Sequence, residues 1–203
     1  MTNQIYLFLF ILVFYCLAFV LRSYLLWKNT GINPITFDAT DDAHGFNGKL
    51  FKFIAVFELI VIGIYSFGGD WSTYLLPFWY LEHQYLQMIG WVLLHVSLVW
   101  VLIAQLQMSN SWRIGIDTKN KTELVTNGLF SISRNPIFLG ILIADLGLFL
   151  VLPNAFTLLI AVWSYSVIQT QVRLEEAFLR EQHSEDYLHY CTEVRRWITI
   201  FSE

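Results

Sequence analysis

The feature that most restricts this chain is a succession of apolar runs separated by polar connections. Ile5 to Trp27, Leu50 to Phe67 and Tyr85 to Gln107 are the first three. Pro136 to Leu152 and Ala155 to Val172 are the last two, joined by a Pro153-Asn154 reversal. A helix needs roughly 20 apolar residues to cross a hydrocarbon core of about 30 Å, and inside that core every backbone polar group must be bonded within its own segment. The final pair is shorter than the others and reads as a hairpin that just reaches across. These runs predict an all-α, polytopic membrane protein with about five transmembrane helices. Composition agrees, since the chain is 56% hydrophobic and only 14% charged, whereas globular domains are about a quarter charged. A signal peptide is the alternative for the first run. Its leading residues MTNQ carry no basic residue, and the run exceeds a usual signal core.

Charge placement sets an orientation. Arg22, Lys28, Lys49 and Lys52 flank the first connection, and Arg113, Lys119, Lys121 and Arg134 occupy the third. Arg173, Arg180, Arg195 and Arg196 lie after the last run, while the second connection and the Pro153 turn have none. The positive-inside rule then expects the amino terminus outside and the carboxyl-terminal tail in the cytoplasm. The second connection is rich in Trp and Tyr, the composition of an interfacial belt. No polybasic run or low-complexity tract points to nucleic acid.

Ionisable residues inside a bilayer are costly, so Glu58, His95 and Asp145 are site candidates, with a plain helix-to-helix contact as the other reading. Asp41, Asp42 and His44 form the one cluster suggestive of a metal, but a solvated loop capping the next helix explains them better, and no metal is expected. Cys16 and Cys191 have no paired spacing and give neither a disulfide framework nor a zinc site.

Beyond Arg173 the chain is too polar to span. Tyr187, Tyr190, Val194, Trp197 and Phe201 recur at spacings of three and four, which predicts a cytoplasmic amphipathic helix. Ser184, followed by Glu185 and Asp186, is its expected start. Glu175 and Glu176 lie at the cytoplasmic end of the fifth run. Neighbours on a helix point about 100° apart, so one is expected to face a pocket while the other pairs with Arg180.

Two stretches carry a resemblance. LVTNGLFSISRNPIFLG (124–140) precedes the hairpin, and EEAFLREQHSEDYLHYCTEVRRW (175–197) follows it. With Leu124, Val125, Thr126, Gly128, Phe130, Arg134, Asn135, Pro136, Phe138, Gly140, Glu175, Glu176, Tyr187 and Tyr190 in place, residues 112 to 197 resemble the isoprenylcysteine carboxyl methyltransferase and phospholipid methyltransferase group of integral membrane enzymes. The resemblance implies one integral membrane methyltransferase domain over 1–203, with variable helices in 1–107 and a cofactor-binding half in 108–203. It implies S-adenosylmethionine, bound from the cytoplasm, and a lipophilic or lipidated acceptor among the membrane lipids. An isoprenylcysteine-like carboxylate, a phospholipid amine and a small thiol all stay open.

The residues expected to hold the cofactor are then Leu124, Val125, Gly128, Arg134, Asn135, Pro136, Phe138, Gly140, Glu175, Glu176, Tyr187 and Tyr190. Arg134, Asn135 and Glu176 are the expected catalytic set. Arg134 suits the donor's carboxylate, Glu175 or Glu176 its ammonium or ribose, and the tyrosines its adenine or sulfonium. Two departures stand out. Asn135 occupies a position that is usually histidine in the isoprenylcysteine branch, and Phe138 replaces a frequent tyrosine; asparagine cannot titrate. The rival enzyme reading is an NADPH-dependent sterol or steroid reductase with a similar arginine–proline–aromatic pattern. A non-enzymatic transporter built on Glu58, His95 and Asp145 is the rival from another class.

Overall fold

The computed structural model describes residues 2–37, 42–120 and 122–199. Among these, all regular structure is helical, with two isolated β-bridges. The helices are α1 (Thr2–Tyr15), α2 (Arg22–Thr30), α3 (Ala43–Phe67), α4 (Gln84–Met108), α5 (Pro136–Val151) and α6 (Ala155–Glu193). A π-helical turn, Cys16–Leu21, joins α1 to α2, so the first crossing is one rod. Four crossings are long and apolar enough to span a membrane, namely this rod, α3, α4 and α6, and α5 is a shorter apolar fifth. The chain is thus a multi-pass, all-α membrane protein, as its apolar runs predict.

Helix starts follow local chemistry. The Asp42 side chain accepts from the Gly45 N–H at 2.7 Å and opens α3. The helix therefore begins several residues before the apolar run does, and His44 to Lys49 are helical rather than loop. Pro136 is the first residue of α5, where its missing N–H costs nothing. Asn154 and Thr157 form a reciprocal capping box at the head of α6.

Small residues bring α4 and α5 together. A Cβ added at Gly147 would lie 2.9 Å from the Gly90 carbonyl oxygen, and one at Gly90 would lie 2.7 Å from that of Gly147. Gly140, seven residues earlier on α5, faces Val101 and Trp100 equally closely. Such close backbone approach is how helices associate where lipid removes the hydrophobic drive. Leu7, Phe10, Ile62, Leu94 and Leu148 fill the space among α1, α3, α4 and α5. Val56, Ile60, Val92, Val96 and Val99 stay exposed, as a lipid-facing surface requires.

At one end, short 3-10 turns (Gly69–Leu75 and Trp79–Leu81) cover the hairpin reversal, with the Phe78 N–H donating to the Pro153 carbonyl at 2.8 Å. Trp71, Tyr74, Trp79 and Tyr80 are exposed there, the aromatic belt expected of the second connection. The described basic residues gather at the opposite end, the one occupied by the start of α3, the end of α4, the start of α5 and the far part of α6. Lys121 lies outside the described residues.

The tail departs from expectation in two ways. Helix α6 does not stop at the membrane edge but runs on through Glu175 and Arg180, and breaks only at Ser184, whose φ of 46° and ψ of −115° are non-helical. Polar side chains end a membrane crossing without ending a helix. The second helical piece then stops at Glu193, so Trp197 is not on the same stripe as Tyr187 and Tyr190. The backbone beyond it runs alongside residues 132–134: the Arg134 N–H donates to the Arg195 carbonyl at 3.1 Å, and the Thr199 N–H to the Ile132 carbonyl at 2.8 Å. Phe201 lies outside the described residues.

Candidate active site

Two connected features occupy the basic end. The first is an ion cluster built by three distant segments. Arg134, two residues before α5, places Nη2 3.0 Å from Glu176 Oε1 on α6. Arg196, on the returning segment of the tail, adds Nε at 3.0 Å from Oε1 and Nη2 at 2.8 Å from Oε2. Arg134 also donates through Nη1 to the carbonyls of Val194 (3.0 Å) and Cys191 (3.3 Å). Glu176 is thus neutralised by two guanidiniums in a nearly dry setting. The carboxylate in turn holds the Arg196 guanidinium above its ordinary range, chiefly by hydrogen bonding. Its partners are Arg134 and Arg196 rather than Arg180, because the kink and the returning tail bring Arg196 over the helix. Asn135 joins the same corner, its Nδ2 donating to the Arg196 carbonyl at 3.3 Å.

The tyrosines brace this cluster from behind. Tyr187 and Tyr190 are buried with Val194 against Leu124 and Leu179, and the Tyr190 hydroxyl donates to the Phe130 carbonyl at 2.5 Å. Their rings pack on protein. Gly128 has a φ of +63°, and any Cβ there would strike the Gln107 amide, whose Oε1 accepts from the Leu129 N–H at 2.8 Å. That turn needs glycine for both reasons.

The second feature is a cavity of about 380 Å³ inside the helix bundle. Of the residues expected from the sequence to hold a cofactor, Phe138 and Glu175 line it. The Phe138 ring stacks on Phe51 at 6.3 Å. Glu175 accepts from Gln171 Nε2 at 2.8 Å, and Gln171 accepts in turn from Asn47 at 2.9 Å, a relay that ties α6 to α3. Arg134, Asn135, Glu176, Tyr187 and Tyr190 are not in the cavity wall. They hold its edge, because Glu175 and Glu176 are neighbours on α6 and Arg134 and Asn135 lead directly into the first turn of α5, which carries Phe138.

Several wall residues carried no signal in the sequence. Lys52, Trp112 and Arg113 line the cavity with Glu175. The segment bearing Trp112 and Arg113 is held in place by a parallel bridge between Ile114 and Ile35 and by a bond from the Ile116 N–H to His44 Nε2 at 3.0 Å. Asp117 fixes the same segment. Burial alone would raise its carboxyl, but bonds from Arg113 and Asn120 and from the backbone N–H groups of Asn120 and Lys119 outweigh that and hold it below the usual carboxylate range. His44 therefore serves this packing; Asp41 lies outside the described residues, and among those described no group of three or more His, Cys, Asp or Glu gathers as metal ligands would.

Glu58 and Asp145 also line the cavity, at its membrane-buried end. Glu58 accepts from the Tyr15 hydroxyl at 2.8 Å. His95 does not join them: it bonds Tyr6 and the Trp91 carbonyl, and faces an open depression of about 510 Å³ between α1 and α4 at the other end of the molecule. That depression holds none of the residues 124–140 or 175–197. Its position beside a lipid-exposed groove makes it a poorer site than the cavity lined by Phe138 and Glu175.

The π-helical turn shapes the same cavity. Phe14, Tyr15 and Phe19, on either side of its start, all face the space. The Ala18 carbonyl accepts from Gln105 Nε2 at 2.8 Å, and Arg22 caps the end of α4 through the carbonyls of Gln105 and Ser109 while lying over the Trp112 ring. A π turn of this kind is often found beside a functional site.

A sequence model of one protein family, described as phospholipid methyltransferase, matches residues 85–186, half of the chain. No curated protein and no solved structure matches it.

Proposed function

The chain belongs to the phospholipid methyltransferase family and is a membrane methyltransferase, and from that premise we propose that it transfers the methyl group of S-adenosylmethionine to a lipophilic acceptor inside the bundle. The observation that carries the reading is the joining of Phe138 and Glu175 in one cavity wall, next to the Arg134–Glu176–Arg196 cluster that fixes the two helices bearing them.

The residues present fit such a donor. Its carboxylate calls for a cation, and Lys52 and Arg113 line the same cavity as Glu175. Its ammonium and ribose call for an acceptor, which Glu175 supplies, and its ring and sulfonium call for the aromatic faces of Phe138 and Trp112. When bound, the donor supplies an electrophilic methyl group on a positively charged sulfur. What the chain does is align and dry the reactants, effects that lower a barrier by about 7–11 kcal/mol in favourable cases. Arg134, Asn135 and Glu176 act on this reading as positioning residues, with Tyr187 and Tyr190 buttressing them. Gly140 and Pro136 set the approach and start of α5, and Leu124, Val125 and Gly128 shape the turn that delivers Arg134. The described cations collect at the cavity's polar end, which supports a cytoplasmic face there and an amino terminus outside.

Calorimetric titration of detergent-purified protein with S-adenosylmethionine and, separately, NADPH tests the proposal. Saturable binding of the first, lost in Glu175→Gln, is expected. Binding of NADPH alone would move the chain to the reductase reading.

A further inference from the structure

The membrane-buried end of the cavity holds two carboxylates from different helices and, among the described residues, no basic side chain bonded to either. Glu58 on α3 accepts from the Tyr15 hydroxyl, its one hydrogen-bond partner among the described residues. Like Ser164 on α6, Asp145 on α5 lines the same space. Its Oδ2 is buried without any hydrogen-bond partner, in a residue 8% exposed. An unpaired carboxylate oxygen in a dry site is expensive, and two acids facing one space repel each other. Both costs fall when a positively charged hydrogen-bond donor enters.

Position and volume narrow the ligand. Asp145 is nine residues past Pro136, about 13 Å along the helix, which puts it near the middle of a core roughly 30 Å thick. The amine of a membrane phospholipid sits in the headgroup layer, so it would have to descend that whole distance. A space of about 380 Å³ lies at the small end of ligand pockets, roughly 300–1,000 Å³, and it has to serve donor and acceptor alike, which favours a compact acceptor. Its remaining walls near the acids are apolar, among them Ile11, Phe14, Ile54 and Ile141.

We propose that Glu58 and Asp145 form the recognition site for the protonated amine of a compact, single-chain lipophilic molecule, which is the methyl acceptor. This rests on the methyltransferase reading above. A carboxylate acceptor is disfavoured at this end, because a pair of acids offers it no cation. Before transfer the ammonium passes one proton to a carboxylate, the N–H bond breaking as an O–H bond forms. The freed nitrogen pair then makes the N–C bond to the sulfonium methyl, and the sulfur keeps the electron pair of the broken C–S bond.

The test is equilibrium binding of tritiated dodecylamine to the protein in nanodiscs, with no methyl donor present, and of S-adenosylmethionine to the same samples. Saturable amine binding is expected, competed by unlabelled dodecylamine but not by dodecanoate or by added diacyl phosphatidylethanolamine. Glu58→Gln and Asp145→Asn are expected to weaken it by roughly tenfold or more, while Asp145→Glu retains most of it. If either neutral variant fails to fold, the wild-type protein still decides the matter, since dodecylamine must raise its melting temperature more than dodecanol does. Equal binding in all variants, equal competition by dodecanoate, or equal stabilisation by the alcohol would overturn the proposal. Loss of donor binding with amine binding intact would instead fault the methyltransferase assignment of the cavity, and preferential binding of phosphatidylethanolamine would replace the compact amine by a phospholipid.

Discussion

Arg134 and Glu176 are 42 residues apart in the chain and 3.0 Å apart in space. Their contact closes the polar end of the α5–α6 hairpin, and the second guanidinium, Arg196, locks it from the returning tail. With side chains this buried, the pair acts as a fastener whose loss leaves a charge stranded.

Arg134→Ala is therefore expected to destabilise the fold by roughly 2 kcal/mol, because a buried carboxylate loses one charge-assisted hydrogen bond and is left to Arg196 alone. Two backbone carbonyls, of Cys191 and Val194, lose their donor as well. Thermal unfolding in detergent measures it. A melting temperature equal to wild type would show that Arg196 alone suffices.

Glu175→Gln is expected to behave differently from Glu176→Gln. The first removes a charge from the cavity wall and should weaken S-adenosylmethionine binding with little effect on melting. The second unpairs two guanidiniums and should lower melting first. Running both assays on both variants separates the roles, and an identical pattern in the two would refute the division drawn between neighbours.

At the α4–α5 contact, Gly147→Ala is expected to cost about 2 kcal/mol, because the new methyl meets the Gly90 carbonyl and the Leu94 backbone, which cannot move aside singly. Gly31→Ala meets nothing within 4 Å, and what strain it carries comes from a φ of +72° alone. Comparing the two by chemical denaturation distinguishes crowding from backbone conformation.

Asp117 predicts a pH response in the segment that carries Trp112 and Arg113. Its folded-state pKa is depressed, so its stabilisation is fully present above the ordinary carboxylate value of about 3.9 and is lost as pH falls through the folded value. Hydrogen exchange in residues 112–120 should quicken in strong acid. Asp117→Asn should show that quickening already at neutral pH; protection unchanged by the substitution would remove Asp117 from the account.

The membrane crossings were legible because lipid imposes length and apolarity on every spanning helix, and Pro136 and Asn154 mark their helix starts by chemistry that acts locally. The family motif pointed to Arg134, Glu175 and Glu176, which the fold does bring to one corner. Arg196 was invisible in that role, since nothing in a basic pair near Trp197 tells which carboxylate it reaches across a kink. The reach of α6 was also hidden: Arg173, Glu175 and Arg180 mark where lipid ends, yet are good helix formers. Trp197 kept the three-and-four spacing after the helix had stopped, because the hydrogen-bonded run beside residues 132–134 took over. Of the ionisable residues within the spans, Glu58 and Asp145 are buried and share a cavity, whereas His95 is exposed beside Tyr6, a division fixed by helix rotation rather than by depth in the sequence.

The widened turn at Cys16–Leu21 has a consequence for how the first rod is read. An α-helix advances its side chains by about 100° per residue, so the slack taken up there offsets the facing of everything after it from everything before. Leu7 and Phe10 can stay keyed to the apolar interior while Arg22 is aimed at the end of α4 and the Trp112 ring. Deleting one residue within 16–21 would restore an ordinary helix and force a choice between those two registers, so the rod behaves as two dials set separately on a common shaft.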